Sequence, residues 1–574
     1  MDEYSVIRIF TEIADLLEIK GDNPYRIRAY RRAARALKRF PENIRRLWER
    51  GELQTIPGIG KELAGKISEI LTGGTCHYLE ELYQEVPPGL LEFLALPGVG
   101  PRTIRTLYSQ LGIISLAELE KAARKGELRQ LPGLGAKTEL KILQGIQAYK
   151  ARRGEFPLGE VLPLAEELYH YLRPLAEVEA ISLTGGLRRR RDKVKDIDIL
   201  VSSRKGKGVI ASLRGFPPLA EVVAEGENRI VLATRFGVKV DLWLVTPEQY
   251  APALLWATGS LGHYQGLRER AAHLGLELNE AGLYRNGQRL AITSEEGIYR
   301  LLELDYIPPE LREDRGEIRA AAEGSLPDLV KLSDIKGDFH SHTHWSDGFY
   351  SPEKMAAAAQ SLGYHYLAIT DHSHSLGVAG GLSPEELLEQ VQEIKEINNK
   401  LTDFRVLTGT EVDILADGTL DYPDDILSQL DVVIASVHSH FRQDEDTMTA
   451  RIIKAITNPH VDILGHPTGR LLGRREPYAV DLEAVLKAAA RTQTVLEINA
   501  SPERLDLTDY WVKRAKEMGI KLSVNSDAHV GNRLQDMNYG LSVARRGWLE
   551  PDDLINTWPW EKVRDYFRKG VAHG

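Results

Sequence analysis

TGGLRRRRDKVKDIDILVSS, residues Thr184 to Ser203, decides how the middle of this 574-residue chain folds. Two glycines close an apolar stretch and four arginines follow. KDIDILV then alternates polar and apolar residues at the period of two that a strand requires. Side chains i and i+2 of a strand share a face, so Asp196 and Asp198 converge. VKVDLWLV (238–245) reads as a neighbouring strand and brings Asp241 to the same place. Three converging carboxylates suit two Mg²⁺ ions, as two-metal phosphoryl transfer needs. The amides of Gly185 and Gly186 form an anion nest and the arginines after them supply neutralising charge, which suits a triphosphate. AEVEAISLTGGL (176–187) and NRIVLATRF (228–236) read as further strands, with helices expected around 250–275.

Upstream of this segment the chain reads as helical. AYRRAARALKRF (29–40) mixes strong helix formers with arginines. One pattern then occurs three times: IPGIG (56–60), LPGVG (96–100) and LPGLG (131–135), each followed by a helical stretch. In a helix-turn-helix hairpin, Gly58, Gly60, Gly98, Gly100, Gly133 and Gly135 let the backbone approach a phosphate. The N–H groups opening the next helix then donate to it. Such contacts position a nucleic acid without reading its sequence.

Downstream, from residue 336, short apolar strands alternate with helical stretches, which argues for a parallel β/α barrel. The strands are HYLAITDH (365–372), FRVLTGTEVDI (404–414), LDVVIASVHSH (430–440), VDILGHP (461–467), TVLEINA (494–500) and IKLSVNSDAH (520–529). Function gathers at C-terminal strand ends in such folds, and His372, Glu411, His438, His466 and Asp527 fall there. DFHSH (338–342) reads as a strand that puts His340 and His342 on one face. Asp347 in HWSDG and His529 in SDAH complete nine imidazole and carboxylate groups. His344, His374 and His440 each stand beside a better-placed neighbour and are not counted. The single cysteine, Cys76, excludes a disulfide framework and a thiolate cluster. A multinuclear N/O centre for Zn²⁺, Mn²⁺ or Fe²⁺ follows. The polar stretch 312–333 reads as a linker.

The formal net charge of −10 argues by itself against a nucleic-acid partner. It is an average over two different halves. Residues 1–333 hold 48 basic against 46 acidic side chains, and residues 334–574 hold 25 against 37 together with 12 of the 16 histidines. No stretch approaches the ~18 apolar residues of a membrane span, and MDEYSVIRIF lacks a signal-peptide pattern, so a cytoplasmic monomer is expected.

The three glycine turns resemble the helix-hairpin-helix motif of DNA repair proteins. The Gly-Gly turn, Asp-x-Asp and distant Asp resemble the nucleotidyltransferase signature of family X DNA polymerases, the group of the vertebrate repair polymerase beta. WATGS (256–260) is similar to that family's aromatic-x-TGS segment beside the nucleotide sugar. Over roughly 1–315 the resemblance implies that Asp196 and Asp198 bind both metals and that Asp241 also activates the primer 3′-hydroxyl. It implies that Gly185, Gly186, Arg189, Trp256, Gly259 and Ser260 bind the nucleotide, Arg189 at the triphosphate, and that Arg268 reaches the templating region. Arg26, Tyr30 and Lys66 match positions that hold a 5′-phosphate and form a Schiff base. Three departures stand out. Gly186 removes a hydroxyl contact that many members supply by Ser, Ala257 bears on ribose exclusion, and Tyr264 replaces a polar base-pocket residue. Residues 336–570 resemble the polymerase-and-histidinol-phosphatase (PHP) domain, a distorted (βα)₇ barrel with a trinuclear centre. Its nine ligands match His340, His342, Asp347, His372, Glu411, His438, His466, Asp527 and His529.

The expected architecture is multidomain: α-helical helix-hairpin-helix N-terminal domains, an α+β nucleotidyltransferase palm and thumb, and a C-terminal (βα)₇ PHP barrel. The boundaries read as 1–80 lyase-like, 81–150 fingers, 151–250 palm, 251–315 thumb, 316–335 linker and 336–574 PHP. The expected function is gap filling on gapped or primer-template DNA with dNTPs and two Mg²⁺ ions. The PHP domain would add 3′–5′ exonuclease, with abasic-site cleavage or 3′-phosphate removal as variants, using two to three Mn²⁺ or Zn²⁺ ions. The alternatives are a PHP nuclease or phosphatase with a degenerate, DNA-binding polymerase part, and a non-catalytic scaffold that binds DNA ends.

Overall fold

The computed structural model describes residues 3–571, apart from Pro41, Asn43, Gly74, Pro97, Arg153, Pro217, Arg235 and Phe236. Pro97 of the second glycine turn and the last two residues of the strand read over 228–236 thus lie outside the described residues. The chain forms two compact units, residues 1–155 with 215–220, and residues 156–214 with 221–574.

The first unit is helical. Glu3–Lys20 packs along Pro24–Arg39 through buried Phe10, Ile13, Leu16, Leu17 and Leu37. The three glycine turns lead into helices Lys61–Gly73, Pro101–Leu111 and Ala136–Arg152. The first glycine of each turn, Gly58, Gly98 or Gly133, has φ between +78° and +86°, a region glycine enters without strain. A Cβ built on the second glycine of each turn, Gly60, Gly100 or Gly135, would meet no atom within 4 Å. The second glycine is therefore dispensable for packing and leaves a bare backbone at the start of the next helix.

The second unit begins with the palm sheet, whose strands are β1 (Ala180–Leu183), β2 (Asp196–Ser202), β3 (Leu219–Glu225), β4 (Arg229–Thr234) and β5 (Lys239–Val245), in the order β1-β2-β5-β4-β3. β2 runs parallel to β5, and β1 and β4 flank them antiparallel. Ile197, Ile199 and Val201 of β2 are fully buried on one face of the sheet, and Asp196 and Asp198 lie on the other, with buried Leu200 beyond them. The thumb follows. Helices Tyr250–Thr258 and Leu261–His273 pack with the hairpin strands β6 (Leu276–Asn279), β7 (Gly282–Arg285) and β8 (Gln288–Arg289) around Leu255, Leu267, Leu283, Tyr299 and Ile307.

The last part is a parallel seven-stranded sheet in sequential order: β9 (Gly337–Asp338), β10 (Tyr366–Ile369), β11 (Arg405–Asp413), β12 (Val432–Ser436), β13 (Ile463–Leu464), β14 (Val495–Asn499) and β15 (Leu522–Asn525). A parallel bridge between Ser341 and Ala528 brings the first and last strands together, so the barrel is nearly closed. The strands are buried on both sides, as helix-covered parallel strands are.

Two readings of the sequence need correction. The strand expected over 338–342 is only Gly337–Asp338; His340 and His342 sit just beyond it, because the Asp338 carboxylate takes the His340 N–H and the Ser526 hydroxyl and stops the ladder. The stretch 312–333 is not a free linker. Arg312 is fully buried against Glu295, Glu317 accepts from His263 at 2.7 Å, and Val330 donates its N–H to the Leu549 carbonyl. Arg312 and Glu317 are thus partnered inside the unit, while Arg319, Glu323, Asp328 and Lys331 stay exposed.

Candidate active sites

In the palm, the parallel register places Asp198 directly opposite Asp241, with Asp196 two residues along the same face. Burial first, then the charges of Asp196 and Asp241, push Asp198 up to about 7. Burial and Asp241 raise Asp196 as well. Asp196 and Asp198 thus resist full ionisation until a cation joins them, so with Asp241 beside them the residues fit the Mg²⁺ pair that the sequence implies. Arg229 of β4 forks onto Asp241 at 2.9 and 2.5 Å and lies over the Trp243 ring at 4.6 Å. The sequence reading passed over Arg229, and only the β4–β5 pairing would have found it.

Gly185 is required here. At φ +57° it is buried, and a Cβ would lie 2.0 Å from the Asp198 carboxylate. At Gly186 a Cβ would press on Val194 at 3.1 Å, so the missing serine has little room. A cavity of about 340 Å³ opens beside Asp198 and Asp241, lined also by Thr184, Trp256, Gly259, Ser260 and Tyr264. The Thr184 hydroxyl is buried in its wall with no hydrogen-bond partner among the described residues. Ser260 caps the helix that carries Tyr264. Arg189 is buried behind Gly259 and does not line the cavity; its Nε donates to Glu313 at 2.9 Å and its Nη1 to the Thr258 carbonyl. Arg268 is exposed on the helix Leu261–His273 and does not line the cavity.

In the helical unit, Arg26, Tyr30 and Lys66 meet around a residue the sequence reading missed, Tyr78. Tyr30 stacks on its ring (6.0 Å, 11°), and Arg26 and Lys66 approach it at 5.4 and 5.0 Å. Lys66 is paired with Glu62 at 2.5 Å and lines an open pocket of about 670 Å³. Its partner Glu62 is held below the usual carboxylate range by that contact.

The barrel brings all nine expected side chains to one end. Glu411 lies at the centre, 2.9 Å from His372 Nδ1 and His466 Nε2 and 3.3 Å from His340 Nε2 and His438 Nε2. Asp527 is 3.2 Å from His342 Nε2, and Asp347 is 3.2 Å from His529 Nε2. Three overlapping sets have ligand atoms within 4.8 Å of one another: His342, Asp347, His372 and His529; His340, His342 and Asp527; His372, Glu411 and His438. His340 Nε2 and both ring nitrogens of His342 are buried with no hydrogen-bond partner among the described residues. Unsatisfied imidazole nitrogens are costly in a dry interior, and aimed at carboxylates they fit a bound cation cluster. His344, His374 and His440 are exposed and stand outside these sets.

Two more carboxylates orient the ligands. Glu497 accepts from His340 Nδ1 at 2.7 Å and from the His466 N–H at 2.6 Å, and Asp413 accepts from His438 Nδ1 at 2.5 Å. Both leave Nε2 facing the cluster. Against the cost of burial, Glu411 and Asp413 raise His438 to about 9, and Asp347 and Asp527 raise His529 to about 9. Burial, His529 and His372 lower His342 to about 4. Metal binding at this site therefore releases protons.

A polymerase palm and thumb joined to a PHP barrel define a DNA polymerase with a metal-dependent phosphoesterase domain. Known families match in that order along the chain: "Helix-hairpin-helix domain" at residues 1–76, "SAM-like Helix-hairpin-helix tandem" at 90–148, "DNA polymerase beta thumb" at 253–313 and "PHP domain" at 338–501. The chain belongs to the PolX family of DNA polymerases. It is 39% identical over 573 residues to the DNA polymerase/3′-5′ exonuclease PolX of Bacillus subtilis (strain 168), covering 99% of this chain and all of that protein. The barrel alone is similar to probable phosphatases. One from Thermoanaerobacter sp. (strain X514) is 33% identical over 246 residues, 40% of this chain and 94% of the relative. One from Syntrophotalea carbinolica is 28% identical over 229 residues, 38% of this chain and 90% of the relative.

Proposed function

We propose that the chain fills short gaps in damaged DNA at the palm and removes 3′-terminal nucleotides at the barrel, each centre with its own metals. The observation that supports this reading is that one chain brings together two sets of candidate metal ligands, the three palm carboxylates and the nine side chains at the barrel end. Asp196 and Asp198 would hold two Mg²⁺ ions, whose charge supports attack of the primer hydroxyl on the dNTP. Asp241 takes the 3′-hydroxyl proton, and Arg229 must then yield or share that carboxylate. The cavity beside the triad takes the dNTP, with Trp256, Gly259 and Ser260 along its wall, Gly185 and Gly186 at the triphosphate turn and Arg189 behind Gly259.

The nine barrel residues would hold two or three Mn²⁺ or Zn²⁺ ions, which lower the pKa of water and polarise the scissile phosphate. The similarity of the barrel to probable phosphatases supports 3′-phosphate removal there as well. Glycine turns at Gly58, Gly60, Gly98, Gly100, Gly133 and Gly135 grip the DNA backbone, and Arg268 approaches the template. Arg26, Tyr30, Tyr78 and Lys66 take the 5′-phosphate of the gap. With Lys66 ion-paired to Glu62, phosphate binding is favoured over Schiff-base chemistry. The protein acts in the cytoplasm as a monomer.

Primer assays on a one-nucleotide gap test both halves. Asp198→Ala should abolish dNTP-dependent extension and keep 3′ shortening in Mn²⁺, and His342→Ala should do the reverse. Extension by Asp198→Ala, or shortening by His342→Ala, would overturn the assignment.

A further inference from the structure

Beside the barrel cluster stands a cation, Arg504, whose contact with the proposed ligand Asp527 leaves part of its guanidinium unspent. Arg504 lies in the loop after β14, and its Nε is 3.6 Å from Asp527 Oδ2, beyond hydrogen-bond reach. That oxygen already accepts from Asn499 at 3.1 Å. The Arg504 Nη1 is buried with no hydrogen-bond partner among the described residues, yet the side chain keeps 16% exposure, so the guanidinium borders both the cluster and its opening. Its backbone is fixed. The N–H donates to Ser501 at 2.8 Å, the carbonyl accepts from Arg470 Nε at 2.9 Å, and Arg470 is itself anchored on Asp192 at 3.0 Å.

Asp527 lies beside this guanidinium but is shared with a site built for several divalent cations, so a further anion would offset the repulsion between those cations and Arg504. A buried, unspent donor in a low-dielectric pocket has the same requirement. A phosphate oxygen meets both, and the planar fork of arginine suits it.

We infer that Arg504 forms a phosphate subsite of the barrel centre, holding the phosphoryl group of a 3′-terminal nucleotide or of the mononucleotide product against the metals. This rests on the reading of the barrel as a 3′-nucleolytic site. Arg504 binds the substrate and does not hold the metals, which separates it from the nine ligands.

The test is calorimetric titration of Mn²⁺-loaded full-length chain with thymidine 5′-monophosphate. An Asp198→Ala background removes the palm from the measurement, and bound manganese is determined by elemental analysis. Arg504→Met, which keeps an apolar stem of similar reach, should bind ~10- to 100-fold more weakly with unchanged manganese. Arg504→Lys should lie between the two. Equal affinity of Arg504→Met and the unsubstituted chain overturns the subsite alone. Loss of manganese overturns it too, because Arg504 would then be a strut for Asp527. No binding by the chain with Arg504 intact overturns the reading of the barrel and the subsite with it.

Discussion

A carboxyl group held at about 7, as Asp198 is, keeps a proton where its site needs a cation. Without metal, its contribution to stability is fully present below the ordinary carboxylate value near 4 and is lost as pH rises through about 7. Mg²⁺ binds the ionised form, so the gain in unfolding temperature on adding Mg²⁺ should be larger at pH 8 than at pH 6. A gain independent of pH would contradict this ionisation. In the barrel, Glu497→Gln keeps the shape beside His340 but weakens the charge that orients its ring. We expect ~10- to 100-fold weaker Mn²⁺ binding by equilibrium dialysis, with the fold retained by circular dichroism. Asp198 was legible from the DID spacing joined to the Gly-Gly turn with its arginines upstream and to Asp241 on a neighbouring strand. Glu497 was not, because an acidic residue in TVLEINA reads as one polar position in a strand until the barrel aims it at His340.

At the scale of elements, the sequence patterns located strands and turns well and misjudged their ends. The β2–β5 pair follows from alternation, but Arg229 faces Asp241 only because β4 packs antiparallel in one particular register. The strand read over DFHSH is cut to two residues by the Asp338 carboxylate, whose partner Ser526 lies 188 residues away. In the helical unit, Tyr78 at the start of His77–Glu85 gathers Arg26, Tyr30 and Lys66. Tyr78→Ala removes two cation–π contacts and a stacking surface. Binding to a gap carrying a 5′-phosphate should weaken ~3- to 10-fold, with little change for an unphosphorylated gap, as fluorescence anisotropy would report. Equal loss on both substrates would make Tyr78 a packing residue only.

Across the second unit, the palm, thumb and barrel are joined by buried charge. Arg546, on helix Met537–Arg546, donates to the Arg189 carbonyl at 2.7 Å and pairs with Glu313 at 2.9 Å and Asp509 at 2.7 Å. Glu313 is the residue that holds the Arg189 side chain. Arg546→Ala takes one cation from each of two part-buried carboxylates, which keep Arg189 and Arg315, and should cost about 1.5–3 kcal/mol in denaturant unfolding. Because Arg189 loses its support, KM for dNTP should rise more than kcat falls. A variant of unchanged stability would show that these ion pairs contribute nothing net.

The sequence by itself located the three glycine turns, the three palm carboxylates and the nine imidazole and carboxylate groups that the barrel brings together. Each of these depends on residue type at a short, fixed spacing, through the period of a strand or the backbone freedom of glycine. The −10 net charge was uninformative for the same reason in reverse: summing over the chain discards position. Tertiary structure alone decided which groups serve those residues. Arg229 on Asp241, Glu497 on His340, Tyr78 among its three partners, Arg504 at the cluster and Arg546 beneath Arg189 are contacts between segments that are not adjacent in the chain. Such contacts arise from strand register, barrel closure and the burial of charge, and no local pattern encodes them.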